Sequence, residues 1–232
     1  MKIRPVILCG GAGTRLWPEA KNNNAKQFID FGGWTLFEKT LKRINTPIFD
    51  FPIITTNIKY VKLVKKYLKK NKVKTYKIVA EPYKKNTAAA ILASSLIKDI
   101  SYDQKIIFFP SDHIIDKDVK FYKSILLNQK HLDSRNIFIF GIKPNMPSSE
   151  FGYFLSNTKK NKLNFVKKFV EKPSNNLAKK IIKMDGYWNS GIFFSRKDSI
   201  INSYVNFQPK LFKYSYESVR KSNLNNNVYY LN

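Results

Sequence analysis

The sequence is poor in the residues that build disulfide frameworks and transition-metal sites. Its 232 residues contain one cysteine, Cys9, and two histidines. A single cysteine excludes an internal disulfide and is typical of a reducing compartment. We therefore predict a cytoplasmic protein in which Cys9 packs as a small buried residue, and no cysteine–histidine spacing favours a zinc site.

Long apolar runs are also missing from the sequence. No run approaches the length of a membrane span, and the first residues lack the apolar core of a signal peptide. The sequence therefore gives no reason to expect a membrane partner.

Negative charge is scarce, because 42 lysines and arginines face only 16 acidic residues and give a net charge of +26. A charge of this size can mark a nucleic-acid-binding surface. The cations are mostly lysine, however, and are spread along the chain without an RNA-binding signature, zinc-finger spacing or basic arm. Lysine and asparagine, which is also abundant, share A-rich codons, so biased genome composition explains the excess. We predict no specific nucleic-acid partner.

What the sequence does contain is a regular alternation of short apolar segments and helical patterns. Eight segments predict strands, at 6–9, 52–55, 77–80, 105–109, 137–141, 152–156, 165–170 and 191–195. Helical patterns separate the first five strands. Thr35 and Glu38 form a capping box that opens a helix ending near Ile44, and Thr87 is predicted to cap an alanine-rich helix. The alternation predicts an α/β fold with a doubly wound, mainly parallel sheet, folded as one domain over residues 1–232.

The first predicted strand runs directly into a glycine-rich turn that carries Gly10, Gly11 and Gly13. Glycines allow close backbone approach to a ligand, and their N–H groups form an anion-binding concavity. Arg15 and Lys26 follow and supply a bidentate fork and a point charge for phosphate oxygens. The stretch predicts a nucleotide site. It is neither a Walker loop nor a dinucleotide fingerprint, because the required Lys-Ser/Thr pair and third glycine are missing.

Polar residues also follow the third and fourth predicted strands. Glu81 ends the third strand, and Asn86 and Thr87 open the next helix, whose N-terminus offers free N–H groups to a nucleotide. Ser111 and Asp112 follow the very apolar fourth strand. A carboxylate in that place is suited to Mg²⁺, which prefers one or two carboxylates together with phosphate oxygens and water.

A third group of residues has the chemistry that a sugar phosphate requires. Glu171 supplies acceptors for hydroxyl groups, Asn189 an amide and Lys172 a cation, while Gly152 beside Tyr153 permits close backbone approach. Taken alone, a Glu-Lys pair is usually surface charge, and the assignment of these residues to a sugar-phosphate site comes from the resemblance given next.

Taken together, the motifs resemble those of the sugar-nucleotide pyrophosphorylases, and most closely the bacterial mannose-1-phosphate guanylyltransferases. The resemblance covers about residues 3–195 and rests on the strings GGAGTRLWP, KQF, EPYKKNTAA, PSDH, FGY, VEKP and WNSG in that order. It implies a Rossmann-like nucleotide-diphospho-sugar-transferase fold and transfer of GMP from GTP to mannose 1-phosphate, with Mg²⁺, giving GDP-mannose and diphosphate.

The resemblance and the motifs together predict the site residues. The catalytic residues are Arg15, Lys26, Asp112 and Lys172, with Asp112 as the metal ligand. Nucleotide contacts are predicted from Leu8, Gly10, Gly11, Gly13, Thr14, Arg15, Lys26, Glu81, Asn86, Thr87, Ser111 and Asp112. Sugar-phosphate contacts are predicted from Gly152, Tyr153, Glu171, Lys172 and Asn189.

The sequence also departs from the family pattern. Ala25 stands where the family has proline, Glu150 stands where it has glycine, and the Asp-Tyr-Ala segment that supplies a second metal carboxylate is missing. We therefore expect a catalytic domain without the C-terminal part of the family, with weak turnover. Two alternatives stay open: another sugar nucleotidyltransferase using UTP or dTTP with glucose 1-phosphate, and a nucleotide-binding fragment with little activity. The expected partners are GTP and mannose 1-phosphate, and a homodimer is left open.

Overall fold

The computed structural model describes residues 1–10, 25–83, 86–116, 118–157 and 163–232. The chain divides into two compact units, Met1–Ile137 with Phe194–Asn232 (unit 1) and Phe138–Phe193 (unit 2). One domain over residues 1–232 stays a prediction.

The strands and helices of the described residues are as follows. The strands are β1 (Arg4–Cys9), β2 (Ile53–Asn57), β3 (Lys77–Glu81), β4 (Lys105–Pro110), β5 (Ile137–Ile142), β6 (Tyr153–Ser156), β7 (Val166–Val170), β8 (Tyr187–Arg196), β9 (Asn223–Asn225) and β10 (Val228–Tyr230). The helices are α1 (Leu36–Ile44), α2 (Val61–Lys70), α3 (Thr87–Leu96), α4 (Asp118–Asn128), α5 (Asn175–Lys183), α6 (Lys197–Phe207) and α7 (Pro209–Arg220). None of these helices is long and apolar enough to cross a membrane.

Unit 1 contains a mostly parallel sheet in the order β4-β1-β2-β3-β10-β9. Its neighbouring strands are parallel except for the β10–β9 pair, which is antiparallel. The fourth strand carries a continuous apolar run, as expected for a parallel strand covered on both faces, and Ile106, Ile107, Phe108 and Phe109 of β4 are all fully buried.

The strand order places a topological switch point between β1 and β4. From β1 the chain moves through α1 to β2 and through α2 to β3, and α3 then carries it back past β1 to β4. In doubly wound sheets ligands bind at the carboxyl ends of the strands on either side of such a point. Gly10 follows β1 and Ser111 follows β4, and the Ser111 N–H donates to the carbonyl of Leu8 at 3.2 Å.

Unit 2 contains β6, β7, α5 and most of β5 and β8. Strand β6 pairs antiparallel with both β7 and β8. Its small core consists of Tyr153, Ala178 and Ile181, with Trp188 packed against it.

The structure confirms the α/β fold with a mainly parallel sheet, and each of the eight predicted strands overlaps an observed one. The capping box is also confirmed, since Thr35 and Glu38 each accept a hydrogen bond from the other's backbone. The cap at Thr87 is wrong by one residue, because Asn86 has the extended backbone of an N-cap and Thr87 is already helical.

Candidate active site

The backbone at the end of β1 is held in place from two sides. The Gln27 side-chain amide donates to the Cys9 carbonyl at 3.3 Å, and the Thr56 hydroxyl donates to the same carbonyl at 3.1 Å. The Cys9 thiol is buried, and burial raises its pKa to about 12, which makes it unreactive. The peptide that leads into Gly10 is therefore fixed. The remaining predicted residues of this loop, Gly11, Gly13, Thr14 and Arg15, lie outside the described residues.

Glu81 brings a buried carboxylate to the end of β3. The residue is 7% exposed, and a Cβ atom added to Gly10 would lie 3.7 Å from its Oε2 atom. Burial raises the pKa of Glu81 from 4.5 to about 7. Within the described part of the chain the carboxylate has no hydrogen-bond or ion-pair partner, so it has both oxygens available for a ligand.

The raised pKa of Glu81 predicts a pH-dependent stability. The folded protein retains a proton on Glu81 up to about pH 7, whereas the unfolded chain loses it near 4.5. The protonated Glu81 therefore makes its full contribution to the free energy of unfolding below pH 4.5. That contribution, about 3 kcal/mol in total, is lost as the pH rises through 7. We expect denaturant titrations of the ligand-free protein to show Glu81→Gln gaining stability relative to wild type between pH 5 and pH 8. Glu217→Gln on α7 is the control, and an equal response from both variants would contradict the prediction.

Lys26 and Asp112 lie together at the switch point. Lys26 Nζ is 3.3 Å from Asp112 Oδ2, and both side chains are about one-third exposed. The His113 imidazole lies 4.0 Å from Asp112 Oδ1, and burial lowers its pKa, so the ring is neutral near pH 7. The structure thus brings two of the predicted catalytic residues into contact on a surface that a ligand can reach.

Asn86 and Thr87 lie at the exposed N-terminus of α3. The Asn86 side chain makes no capping hydrogen bond, and both residues are solvent-exposed. The Ala89 N–H donates to the Asn86 carbonyl at 3.0 Å, but the Asn86 side chain occupies none of the first N–H groups of α3. An anion site at a helix N-terminus uses such free N–H groups.

Residues of α1 that sequence reasoning missed hold the segment carrying Asp112. Arg43 is buried and donates from Nη2 to the His113 carbonyl at 3.0 Å, and Thr40 donates to the Ser111 carbonyl at 3.4 Å. A signal was present in the sequence. Arg43 follows Thr40 by three positions and Leu36 by seven, which puts a charged residue on the apolar side of the helix.

Asp112 has the donor chemistry for Mg²⁺. Its carboxylate is partly exposed at the end of β4, and no group of three or more potential ligands occurs within the described residues. Several other aspartates are engaged in ion pairs, namely Asp118 with Arg43, Asp185 with Lys143 and Asp198 with Arg196. A site with one protein carboxylate fits Mg²⁺ when substrate oxygens and water complete the shell.

In unit 2, Gly152, Glu171 and Asn189 converge. The Asn189 N–H donates to the Gly152 carbonyl at 2.8 Å, and its side-chain oxygen accepts from Gly191 N–H at 3.1 Å. A Cβ atom on Gly152 would lie 2.7 Å from Glu171 Oε2, so any larger residue at this position would clash with the carboxylate where it now lies. Lys172 has a φ of 45°, an unusual conformation for a residue with a side chain and one that is found often at ligand sites.

Tyr153 differs from the other predicted sugar-phosphate residues. Its side chain is fully buried in the core of unit 2, and its hydroxyl accepts from the Ser148 N–H at 2.9 Å. Only the backbone of Tyr153 is left to contribute to a ligand site.

The described residues thus place Gly10 at a topological switch point, with a cation–carboxylate pair and a helix N-terminus at the carboxyl ends of parallel strands, an arrangement typical of nucleotide-binding α/β proteins. The chain belongs to the nucleotidyl transferase family, whose profile matches residues 4–228.

Known proteins similar to the chain include a mannose-1-phosphate guanylyltransferase of Sinorhizobium fredii, 35% identical over 227 residues. That match covers 95% of this chain but 44% of the relative, and the chain spans less than half the length of the curated relatives that it matches.

Two solved structures are also similar. A Helicobacter pylori structure described as mannose-6-phosphate isomerase is 28% identical with a TM-score of 0.80, covering 100% of this chain and 87% of that chain. A Thermus thermophilus structure described as mannose-1-phosphate geranyltransferase has a TM-score of 0.84 at 21% identity, covering 100% and 74%, and shows the same fold.

Proposed function

We propose that this chain transfers GMP from GTP to mannose 1-phosphate, giving GDP-mannose and diphosphate. The observation that carries the proposal is the contact of Lys26 with Asp112 at the switch point beside Gly10, in a member of the nucleotidyl transferase family. The sugar is proposed from the S. fredii relative, which is named for mannose 1-phosphate and guanylyl transfer.

The chemistry is an in-line displacement between two anions. An oxygen of the sugar phosphate forms a bond to the α-phosphorus of GTP, the bond from that phosphorus to the β-phosphate oxygen breaks, and diphosphate leaves with the electron pair. A phosphate monoester has a second pKa near 6 and is largely ionised at neutral pH, so the nucleophile needs no general base. The protein has to bring the anions together and offset their repulsion.

The proposed roles follow from this need. Arg15 and Lys26 bind the triphosphate, Lys172 binds the sugar phosphate, and Asp112 holds Mg²⁺, which supplies positive charge to the nucleotide phosphates. Glu171 and Asn189 orient the hexose hydroxyls through acceptor and amide groups.

Glu81 supports guanine as the base. The edge of guanine presents two adjacent donors, N1–H and N2–H₂, which match the two oxygens of a carboxylate. Uracil and thymine present one N–H between two carbonyl oxygens, which a carboxylate repels. Glu81 is buried beside Gly10 and has no partner among the described residues, so a nucleotide base can satisfy it.

Lys172 and a neighbouring lysine provide a test of the sugar-phosphate assignment. We expect Lys172→Ala to raise the KM for mannose 1-phosphate by about tenfold or more and to change the KM for GTP little. Lys168→Ala removes an exposed lysine from β7 and serves as the control. Arg15→Ala should show the opposite asymmetry, acting on the nucleotide side or on kcat. Initial rates at varied concentrations of each substrate give the two KM values and kcat of each variant. The same changes in Lys172→Ala and Arg15→Ala would contradict the assignment of the two residues to different substrates.

The function itself is tested by diphosphate release. GTP, UTP, dTTP, ATP and CTP are each combined with mannose 1-phosphate or glucose 1-phosphate in the presence of Mg²⁺, with EDTA as the blank. The proposal expects the highest kcat/KM for GTP with mannose 1-phosphate. Preference for another pair would identify a different sugar nucleotidyltransferase.

A nucleotide-binding protein with weak turnover is the second candidate, because Asp112 is the one carboxylate that the described residues offer at the end of β4. Calorimetric GTP binding without diphosphate release would favour it.

A further inference from the structure

Arg43 is a buried cation to which the proposed chemistry gives no direct role. The residue is 4% exposed and lies on the side of α1 that faces the protein interior. Burying a guanidinium is costly unless it is paired and hydrogen-bonded. Its partners therefore show what the residue does.

The Arg43 guanidinium joins both ends of the segment that follows β4. Its Nη2 atom donates to the His113 carbonyl at 3.0 Å, and its Nε atom donates to Asp118 Oδ1 at 3.2 Å. Asp118 is the first residue of α4. Only the planar fork of arginine can make both contacts from one fixed side chain.

Two further hydrogen bonds tie the same helix to this region. The Thr40 hydroxyl donates to the Ser111 carbonyl at 3.4 Å, and the Tyr122 hydroxyl of α4 donates to the Arg43 carbonyl at 2.6 Å. Asp112 thus lies between two residues, Ser111 and His113, whose carbonyls are both held by α1.

We propose that Arg43 is a positioning residue for Asp112. By fixing the backbone on the far side of Asp112 it keeps the carboxylate next to Lys26, where it is ready for Mg²⁺ and nucleotide. This inference rests on the proposed function. Arg43 acts on the site only through the segment that it holds. Its loss therefore weakens the Mg²⁺-dependent part of nucleotide binding and leaves the Mg²⁺-independent part intact.

The test compares two equally buried arginines. Arg4 is also 4% exposed, pairs with Asp50 at 2.7 Å and donates to the Phe51 carbonyl at 2.8 Å, but it begins β1 at the opposite end of the strand from Gly10. Arg43→Lys and Arg4→Lys both keep the charge and lose the fork, so both should lower Tm. The Kd for GTP is then measured by calorimetry with Mg²⁺ and in EDTA.

We expect Arg43→Lys to raise the Kd measured with Mg²⁺ by about 10- to 100-fold, the usual effect of losing a group that orients a metal ligand. In EDTA its Kd should stay within about twofold of wild type, and Arg4→Lys should change neither value. If Arg43→Lys raises the Kd for GTP equally with Mg²⁺ and in EDTA, Arg43 only stabilises the fold. If Arg43→Lys does not fold, Asp118→Asn removes the same ion pair from its partly exposed side and should show the same pattern more weakly.

A double-mutant cycle shows whether Arg43 acts through Asp112. In an Asp112→Asn background, Arg43→Lys should cause little further loss of Mg²⁺-dependent binding, because the carboxylate that it positions is already gone. A loss equal to that in the wild-type background would overturn the proposal.

A readout on the ligand-free protein separates this inference from the proposed function. The sequence has two histidines, His113 beside Asp112 and His131, which is exposed beyond α4. In NMR spectra Arg43→Lys should shift and broaden the His113 ring resonances and leave those of His131 unchanged, whereas Arg4→Lys should affect neither. Failure of the wild type to bind GTP would refute the function, and an unchanged His113 signal in Arg43→Lys would refute the positioning role.

Discussion

Asp112→Asn should lower kcat for diphosphate release by about 10²-fold or more, the scale of losing one preorganised electrostatic contact. The amide keeps the shape of the side chain but removes the charge that is proposed to bind Mg²⁺ and that pairs with Lys26 Nζ at 3.3 Å. Because Asp112 is one-third exposed, the substitution should leave Tm nearly unchanged. Steady-state rates at a series of Mg²⁺ concentrations measure the effect.

The matched control is at the other end of the same strand. Asp103 is exposed in the turn before β4, whereas Asp112 follows β4, so Asp103→Asn removes an equal charge far from the switch point. We expect wild-type rates from Asp103→Asn. Asp112→Asn with near-wild-type activity at saturating Mg²⁺ would remove Asp112 from the site.

The sequence predicted those parts of the fold that depend on local pattern. The continuous apolar run of β4 and the capping box of α1 leave little choice of structure, and the position of Asp112 directly after a buried strand follows from them. The short strands β9 and β10 were missed because three residues, Asn-Leu-Asn in β9 and Val-Tyr-Tyr in β10, are too few to carry a periodic signal. The pairing of β10 with β3, and of β9 with β10, depends on the tertiary fold.

The sequence predicted which residues belong to the candidate site, but it did not predict their burial, their contacts or their pKa values. Sequence reasoning placed Glu81 and Tyr153 at the ligand because each stands in a motif. The structure shows Glu81 as a buried carboxylate with a raised pKa and Tyr153 as part of the core of unit 2. Desolvation and packing depend on which distant segments meet, and no spacing in the sequence reports them. For Arg43 the helical spacing did mark a charged residue on the apolar side of α1, but its partners lie 70 and 75 positions away and could not be read from that spacing.

Glu81→Gln should reduce kcat/KM for GTP by about 10²-fold. The ratio of kcat/KM with GTP to kcat/KM with UTP should fall by a similar factor. The carboxylate offers two acceptors to the two donors of guanine, whereas the amide offers one acceptor and one donor and therefore suits the N3–H and carbonyl of uracil better. Diphosphate release with each nucleotide at fixed mannose 1-phosphate measures the ratio. Glu171→Gln, a change in unit 2 on the proposed sugar-phosphate side, should lower activity without altering the GTP-to-UTP ratio.

The pH dependence of GTP affinity tests the same contact independently. The proposed contact requires the ionised carboxylate to accept from the guanine donors, and in the free protein burial raises the pKa of Glu81 to about 7. Below that pH, binding must first remove the proton, so the Kd for GTP should rise by about tenfold per pH unit between pH 7 and pH 5 and level off above pH 7. Calorimetry in buffers of different ionisation enthalpy should also detect a proton released on binding below pH 7. Both effects should vanish in Glu81→Gln. If the variant keeps the wild-type base ratio and the wild-type pH profile, Glu81 does not contact the base.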